Sequence, residues 1–448
     1  MTSLARQELD VPAPTKDPRG ERALRVLNTL LASYGPRDYA IRLWDGTVQP
    51  AEPGKPTHFT MVLNRPDVLW RMFAPPNERA IGEAYAYGDF EVEGDIMKML
   101  DLVEHIVKKL KFSSVLPLVG DLWGMRTGAV TSDLPDADVH VKGILHSKDR
   151  DRAAIKHHYD ISRDFYALWL DKRMVYSCSY FPTGEETLDQ SQERKLEHIC
   201  RKLRLKPGER YLDLGCGYGG LVRYAAKNFG VKALGITLSK EHGRLAQERI
   251  KEEGLEGQCE VKVMDYRELS SSEPFDKISA IGIIEHVGEK RLNEFFPRVF
   301  NLLKPGSLFL NHGICKSRAI PRHKRIYSRL PWVQKNFILK YVFPDLDLLP
   351  LHVLLRASAK AGFEAWDIEN LRPHYAQTLR CWLDGLNQNW DAAVKEVGVP
   401  TARVWRVYLA HSIHAFETGL VNLIHTLYVK PAPGGGAHIP RTRADLYL

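Results

Sequence analysis

No stretch of this chain is apolar for long enough to cross a bilayer, and its first twenty residues, with acids and three prolines, do not resemble a secretory leader. Those two absences predict a cytoplasmic protein. Cysteine is scarce: six residues (Cys178, Cys200, Cys216, Cys259, Cys315, Cys381), none in a C-x-x-C spacing, so neither a zinc site nor a disulfide framework is expected. Acid is short relative to base, 55 against 63, leaving a net charge of +8. That excess implies an anionic partner, nucleic acid or the phosphates of a membrane surface. What is present, 44% apolar and 26% charged residues over 448 positions, is ordinary globular protein with chain enough for two domains.

In chain order, residues 1–20 read as a mobile lead and 21–126 as a small α+β domain. Asp45-Gly46 marks a hairpin. Asp95 caps a helix running through Lys111, which turns Ile96, Leu100, Val103, Val107 and Leu110 toward a core. Residues 127–150, small, acidic and aperiodic, form a linker. From 151 to 433 strands and helices alternate, predicting an α/β fold with a doubly wound, mostly parallel sheet and helices on both faces. A helix near 189–204 should bury Leu196, Ile199, Cys200 and Leu203. Residues 434–448 read as a flexible tail. Between Lys316 and Lys340 eight Lys or Arg residues occur with no acid, interleaved with Tyr327, Trp332 and Phe337, a mixture suited to phospholipid headgroups or single-stranded nucleic acid.

The second domain is organised around YLDLGCGYGG at 211–220. A short apolar strand meets Asp213, then Gly215, Gly217, Gly219 and Gly220, and a helix follows. Glycine there lets backbone approach a ligand at a helix N-terminus. The pattern is shared by dinucleotide and S-adenosylmethionine sites, or is a plain structural turn. Two details favour adenosylmethionine. Asp213 stands where dehydrogenases usually carry an apolar residue, and the second strand ends at Ile236-Thr237 with no acid to hold an NAD ribose. Glu285 and His312 each follow an apolar run, so both are delivered to the strand-end rim where the glycine loop lies; singly, each could equally be a cap or a satisfied structural group.

Eight strings in order, HHYD (157–160), VYSCSYF (175–181), LDLGCGYGG, GITLS (235–239), DYR (265–267), IEHVG (284–288), HGI (312–314) and HYAQTL (374–379), resemble the successive motifs of the cyclopropane-fatty-acyl-phospholipid synthase family, which includes the mycolic acid cyclopropane synthases. IGEAYAYGDFEVEGD, more loosely, resembles the amino-terminal domain of the bacterial phospholipid enzymes. The resemblance implies a class I methyltransferase with a Rossmann-like sheet, acting on double bonds of phospholipid acyl chains to form cyclopropane fatty acids. It implies two cofactors, S-adenosyl-L-methionine and a bound bicarbonate serving as base. Cys178, Glu285, His312, Tyr375 and the backbone of Ile314 would surround the bicarbonate. Tyr159, Tyr176, Ser177, Asp213, Gly215 and Gly217 would meet the methionine end of the cofactor, with Thr237 and His242 near the ribose and Asp265 and Tyr266 near the adenine. No metal is expected. The same resemblance implies a homodimer working peripherally on the inner face of the membrane, on phospholipid rather than nucleic acid.

Two departures stand out. His242 replaces the family's usual Gln, which would make cofactor affinity pH-dependent. FPDLDLLP (343–350) replaces a shorter FPGG turn, altering the acyl-entry loop. The competing readings are a methylene- or methyl-branched product, a lipid-binding protein whose chemistry has been lost, and a nucleic-acid methyltransferase suggested by charge alone.

Overall fold

The computed structural model describes residues 17–73, 78–109, 116–127, 162–317, 337–343, 346–436 and 439–446. The chain divides into two compact units, Met1–Pro135 and Asp136–Leu448.

In the first unit, Asp17 accepts the Arg19 amide and caps the helix Pro18–Leu31, whose Ala23, Val26, Leu27 and Leu31 recur at helical spacing and are buried. Strands β1 (Ala40–Arg42) and β2 (Val48–Gln49) form the expected hairpin, with Gly46 at φ 82° in its turn. Strands β3 (Phe59–Leu63) and β4 (Phe90–Gly94) complete a sheet in the order β2-β1-β3-β4. Asp95 accepts the amides of Met97 and Lys98 at the head of helix Ile96–Lys109. The buried face of that helix differs from the sequence expectation. Ile96, Met99, Leu100, Leu102 and Ile106 are buried while Val103 is only half so, because Met99 and Leu102, beside the expected stripe, pack inward. Val107 and Leu110 lie outside the described side chains.

The second unit carries β5 (Arg210–Leu214), β6 (Lys232–Thr237), β7 (Cys259–Val263), β8 (Phe275–Ile281), β9 (Leu303–Lys316), β10 (Leu349–Pro350), β11 (Glu364–Asn370) and β12 (Val421–Val429). The sheet order is β11-β12-β9-β8-β5-β6-β7, with β10 added beside β9. Strands β5 to β9 are mutually parallel and β12 runs antiparallel to both its neighbours. Period-two alternation sends side chains to two cores: Tyr211, Leu308, Leu310, Leu427 and Val429 pack under helices Leu188–Leu203 and Gly220–Phe229, while Leu212, Phe309 and Tyr428 pack with Phe295, Phe296 and Phe363 on the other face. Leu196, Ile199, Cys200 and Leu203 are buried as expected. β11 and β12 were not legible as strands, since EAWDIEN is largely polar and the sequence after β9 had read as irregular.

The tail reading needs correction over 439–446. Leu446 is buried, Asp445 pairs with Arg204 at 2.7 Å and Arg443 with Asp367 at 2.9 Å, so opposite charges and one apolar side chain fasten this segment to the domain. No helix among the described residues is long and apolar enough to cross a membrane.

Candidate active site

The cofactor-type cleft forms at the carboxyl ends of the parallel strands. After β5 the chain turns through Gly215 at φ 73° and Gly217 at φ 51°. A Cβ on Gly215 would sit 2.0 Å from Ile283 Cδ1, whereas one on Gly217 would meet no protein atom, only the cleft it lines. Gly219 then caps helix Gly220–Phe229 in the left-handed region. The resulting cavity, ≈ 190 Å³, is lined by Tyr176, Ser177, Asp213, Gly215, Gly217, Thr237, His242, Asp265 and Tyr266. Every expected cofactor residue is thus gathered on one wall system except Tyr159, which lies outside the described residues with the rest of HHYD.

Asp213 is buried and accepts a hydrogen bond from Ser279 Oγ at 2.5 Å, while Ser279 and the Tyr211 hydroxyl are 2.6 Å apart. Burial pushes its carboxyl up to about 7. A cationic ligand above it would favour the ionised form, so the acid is poised to gain charge when such a ligand arrives. Asp265 is buried against Arg267, 2.6 Å between charged atoms, which fixes the DYR turn. His242 is buried with its ring centroid 4.1 Å from that of Tyr218, and burial pulls it down to about 4. Burial therefore favours the neutral imidazole at physiological pH, which argues against a pH-dependence of cofactor affinity through this residue.

Lys195 is a wall residue that sequence reasoning missed. It is almost wholly buried, donates from Nζ to Ser177 Oγ at 2.9 Å, lines the cleft, and is drawn down to about 8 by burial. Its signal was helical phase: Lys195, Ile199 and Lys202 follow one another at spacings of four and three, so two lysines share the face of a core isoleucine.

A second cavity of ≈ 330 Å³ shares Tyr176, Ser177, Gly282 and His286 with the first. Phe343, Leu346, Leu348, Tyr408, Phe416 and Leu423 make it largely apolar, and Glu285, His312, Ile314, Lys316 and Tyr375 add polar groups. The longer FPDLDLLP loop thus supplies three of the apolar walls, and Asp347 clips it down: its amide donates to the Glu285 carbonyl and its carboxylate accepts the Glu289 amide. Glu285 Oε1 accepts the Ile314 amide at 2.7 Å, while Oε2 is buried with no hydrogen-bond partner among the described residues. Burial pushes this carboxyl up to about 7. His312 Nδ1 is 2.7 Å from His425 Nε2, and burial pulls His312 down to about 3.

Two site expectations change. The Ile314 amide donates to Glu285 Oε1, so an anion would share this donor with that carboxyl. Cys178 is fully buried, its thiol directed to the Ser179 carbonyl oxygen at 3.1 Å, and it does not line either cavity. Burial also pushes the thiol far up, so it stays protonated. Its neighbours explain the VYSCSYF and HYAQTL strings together: the Ser179 amide donates to Thr378 Oγ1 and the Phe181 amide to His374 Nδ1. Helix Arg372–Gln388 thereby holds Tyr176 and Ser177 between the two cavities.

Residues 146–426 match the family model for mycolic acid cyclopropane synthetase. A probable fatty acid methyltransferase of Pseudomonas putida is 36% identical over 407 residues, 91% of this chain and 95% of that protein. The cyclopropane-fatty-acyl-phospholipid synthase of Escherichia coli (strain K12) is 34% identical over 291 residues, 65% of this chain and 71% of that protein. Among solved structures, a mycolic acid cyclopropane synthase complexed with SAH and CTAB superposes with a TM-score of 0.57 at 29% identity, covering 62% of this chain and 97% of the other. Joined to a glycine loop, a buried strand-end acid and a class I strand order, these matches show that the chain belongs to the mycolic acid cyclopropane synthetase family of S-adenosylmethionine-dependent methyltransferases.

Proposed function

We propose that this protein transfers a methyl group from S-adenosylmethionine to a carbon-carbon double bond of a fatty acyl chain. One observation carries the reading: the cleft beside the glycine loop shares Tyr176, Ser177, Gly282 and His286 with a largely apolar cavity containing Glu285 and His312. An isolated alkene is a poor nucleophile and its methylated form is a carbocation that water would quench, so the reaction needs a dry wall and a nearby base. Bound S-adenosylmethionine supplies the electrophilic methyl. Asp213 would hold its cationic methionine end, and the aromatic group of Tyr166, Trp169, Tyr176, Trp382 and Trp405, with ring centroids 5.2–6.3 Å apart across Tyr176, suits positive charge.

The cavity residues also fit a small anion such as bicarbonate. Lys316, Tyr375 and a protonated Glu285 would offer donors, and a buried Glu285 Oε2 without a partner costs about 1–3 kcal/mol that a ligand would relieve. Bicarbonate there would supply a base. His312 is on the same wall to take up the proton.

Loss of a proton from the carbon that carries the new methyl gives a methyl-branched alkene, and a 1,2-hydride shift followed by proton loss from the methyl gives a methylene branch; loss from the transferred methyl without that shift closes a cyclopropane ring. The long match to a probable fatty acid methyltransferase supports the branched product. The gathering of Glu285, His312 and Tyr375 supports the ring as the second reading. The amino-terminal unit and the basic 316–340 segment would meet phospholipid, with a homodimer as the working form. Incubation with adenosylmethionine and unsaturated phospholipid vesicles should add roughly 14 mass units per acyl chain, and NMR of the product separates ring from branch. Adenosylmethionine binding with no mass gain would instead favour a lipid-binding protein.

A further inference from the structure

Three neighbouring strands place a row of titratable side chains behind the second cavity. In register, Glu369 on β11 faces His425 on β12, and His425 faces His312 on β9. His312 Nδ1 lies 2.7 Å from His425 Nε2, and His425 Nδ1 lies 4.0 Å from Glu369 Oε2 with no hydrogen-bond partner among the described residues. Helix Leu188–Leu203 closes the far end, with His198 Nε2 at 2.8 Å and Lys202 Nζ at 2.6 Å from the same carboxylate oxygen. Lys202 also meets Asp367 at 2.8 Å. A metal ion is disfavoured here because the buried ammonium already fills the cation's place.

Burial keeps both imidazoles neutral, and the Lys195 and Lys202 charges act in the same direction. Glu369 is ionised: burial opposes its charge, but the His198 hydrogen bond and Lys202 outweigh this and hold it at about 2. A neutral imidazole has one N–H and one lone pair. The 2.7 Å contact needs one proton on its line, leaving two arrangements. If His425 carried its proton on Nε2, its Nδ1 lone pair would face a carboxylate. If it carries the proton on Nδ1, that N–H has the Glu369 carboxylate 4.0 Å away, Nε2 accepts from His312 Nδ1–H, and His312 Nε2 is left bare.

We infer that Glu369 and His425 are positioning residues that hold His312 as its Nδ1–H tautomer, so that an unprotonated Nε2 faces the cavity as proton acceptor. The inference rests on the proposed reaction only for its use. When the methylated acyl chain breaks a C–H bond, the bonding pair stays on carbon to form the new C–C or C=C bond, and the proton, released to the base held in the cavity, ends on His312 Nε2. The imidazolium so formed is stabilised through His425 by the Glu369 carboxylate, as a buried acid orients histidine in hydrolase triads.

The test is long-range ¹H–¹⁵N correlation on the full chain labelled at histidine, with His312 assigned by its disappearance in His312→Gln. The expected spectrum shows a protonated Nδ1 and a bare Nε2 for His312; the reverse tautomer overturns the inference. As a kinetic arm, His425→Leu should lower kcat roughly 10–100-fold with the KM for adenosylmethionine unchanged. His425→Gln, whose amide can accept from His312 and donate to Glu369, should recover most of that loss. Equal loss in both variants also overturns it. A wild-type chain that shows the Nδ1–H signature but methylates no acyl chain overturns the proposed reaction and leaves this assignment standing.

Discussion

The two adjoining cavities are built in opposite ways. The cofactor cleft is assembled mainly from turns that directly follow β5, β6, β7 and β8, each a short local string, with Tyr176, Ser177 and Lys195 added from outside them. The acyl-side cavity draws on residues between 176 and 423 from loops, strands and two long helices, none of which makes a site alone. A local motif tolerates change elsewhere but not within itself. A cavity assembled at long range loses chemistry one side chain at a time.

Glu285→Gln should therefore divide the two most sharply. It keeps the Ile314 contact but removes the titrating carboxyl, and turnover should fall about 10³-fold while adenosylmethionine affinity, measured by calorimetry, stays within twofold. Equal loss of both would erase the distinction. Gly215→Ala tests the other side: at φ 73°, with its added Cβ 2.0 Å from Ile283 Cδ1, about 1–3 kcal/mol of strain should weaken cofactor binding roughly 10–100-fold, with only a secondary effect on turnover at saturation.

The acid of the cleft gives a pH signature. Asp213 is held up at about 7, so between the usual carboxylate range and that value the folded protein keeps a proton that the unfolded chain has released. Its stabilising contribution is complete below the unfolded value and is lost as pH rises through about 7. A cationic ligand favours the ionised form, so adenosylmethionine affinity should climb several-fold from about pH 6 to about pH 8. Asp213→Asn should flatten both the affinity profile and that component of thermal stability. The smallest effect belongs to His242→Gln. With its imidazole neutral above about 4, substitution should change affinity less than about threefold and leave the pH profile intact. A profile that altered here and not in Asp213→Asn would reverse the roles.

The same contrast explains what could be read from sequence. The glycine turn, Asp213, Thr237 and the alternating strands are local, and a strand-turn-helix string announces itself. Glu285, His312 and Tyr375 were found together only through resemblance at several strings, since the fold of β9, β12 and the helix Arg372–Gln388 joins positions roughly 60 to 120 residues apart. Cys178 misled because an apolar burial site and a polar wall look alike in a string; only the direction of its thiol tells them apart. Lys195, His198 and Lys202 were concealed beside the apolar stripe Leu196, Ile199, Cys200 and Leu203 on a helix where charged residues are usually solvated, and His425 sat in a stretch not read as a strand.

One practical matter follows from how residues 443–446 are fastened. Asp445 grips Arg204 just past helix Leu188–Leu203, and Arg443 grips the acid that holds Lys202. Any handle or proteolytic cut that disturbs residues 443–446 would pull on the helix carrying Lys195 and His198. Such a preparation would lose turnover in a way that mimics an inactivating substitution, so a handle at the amino end is the sound choice for every measurement proposed above.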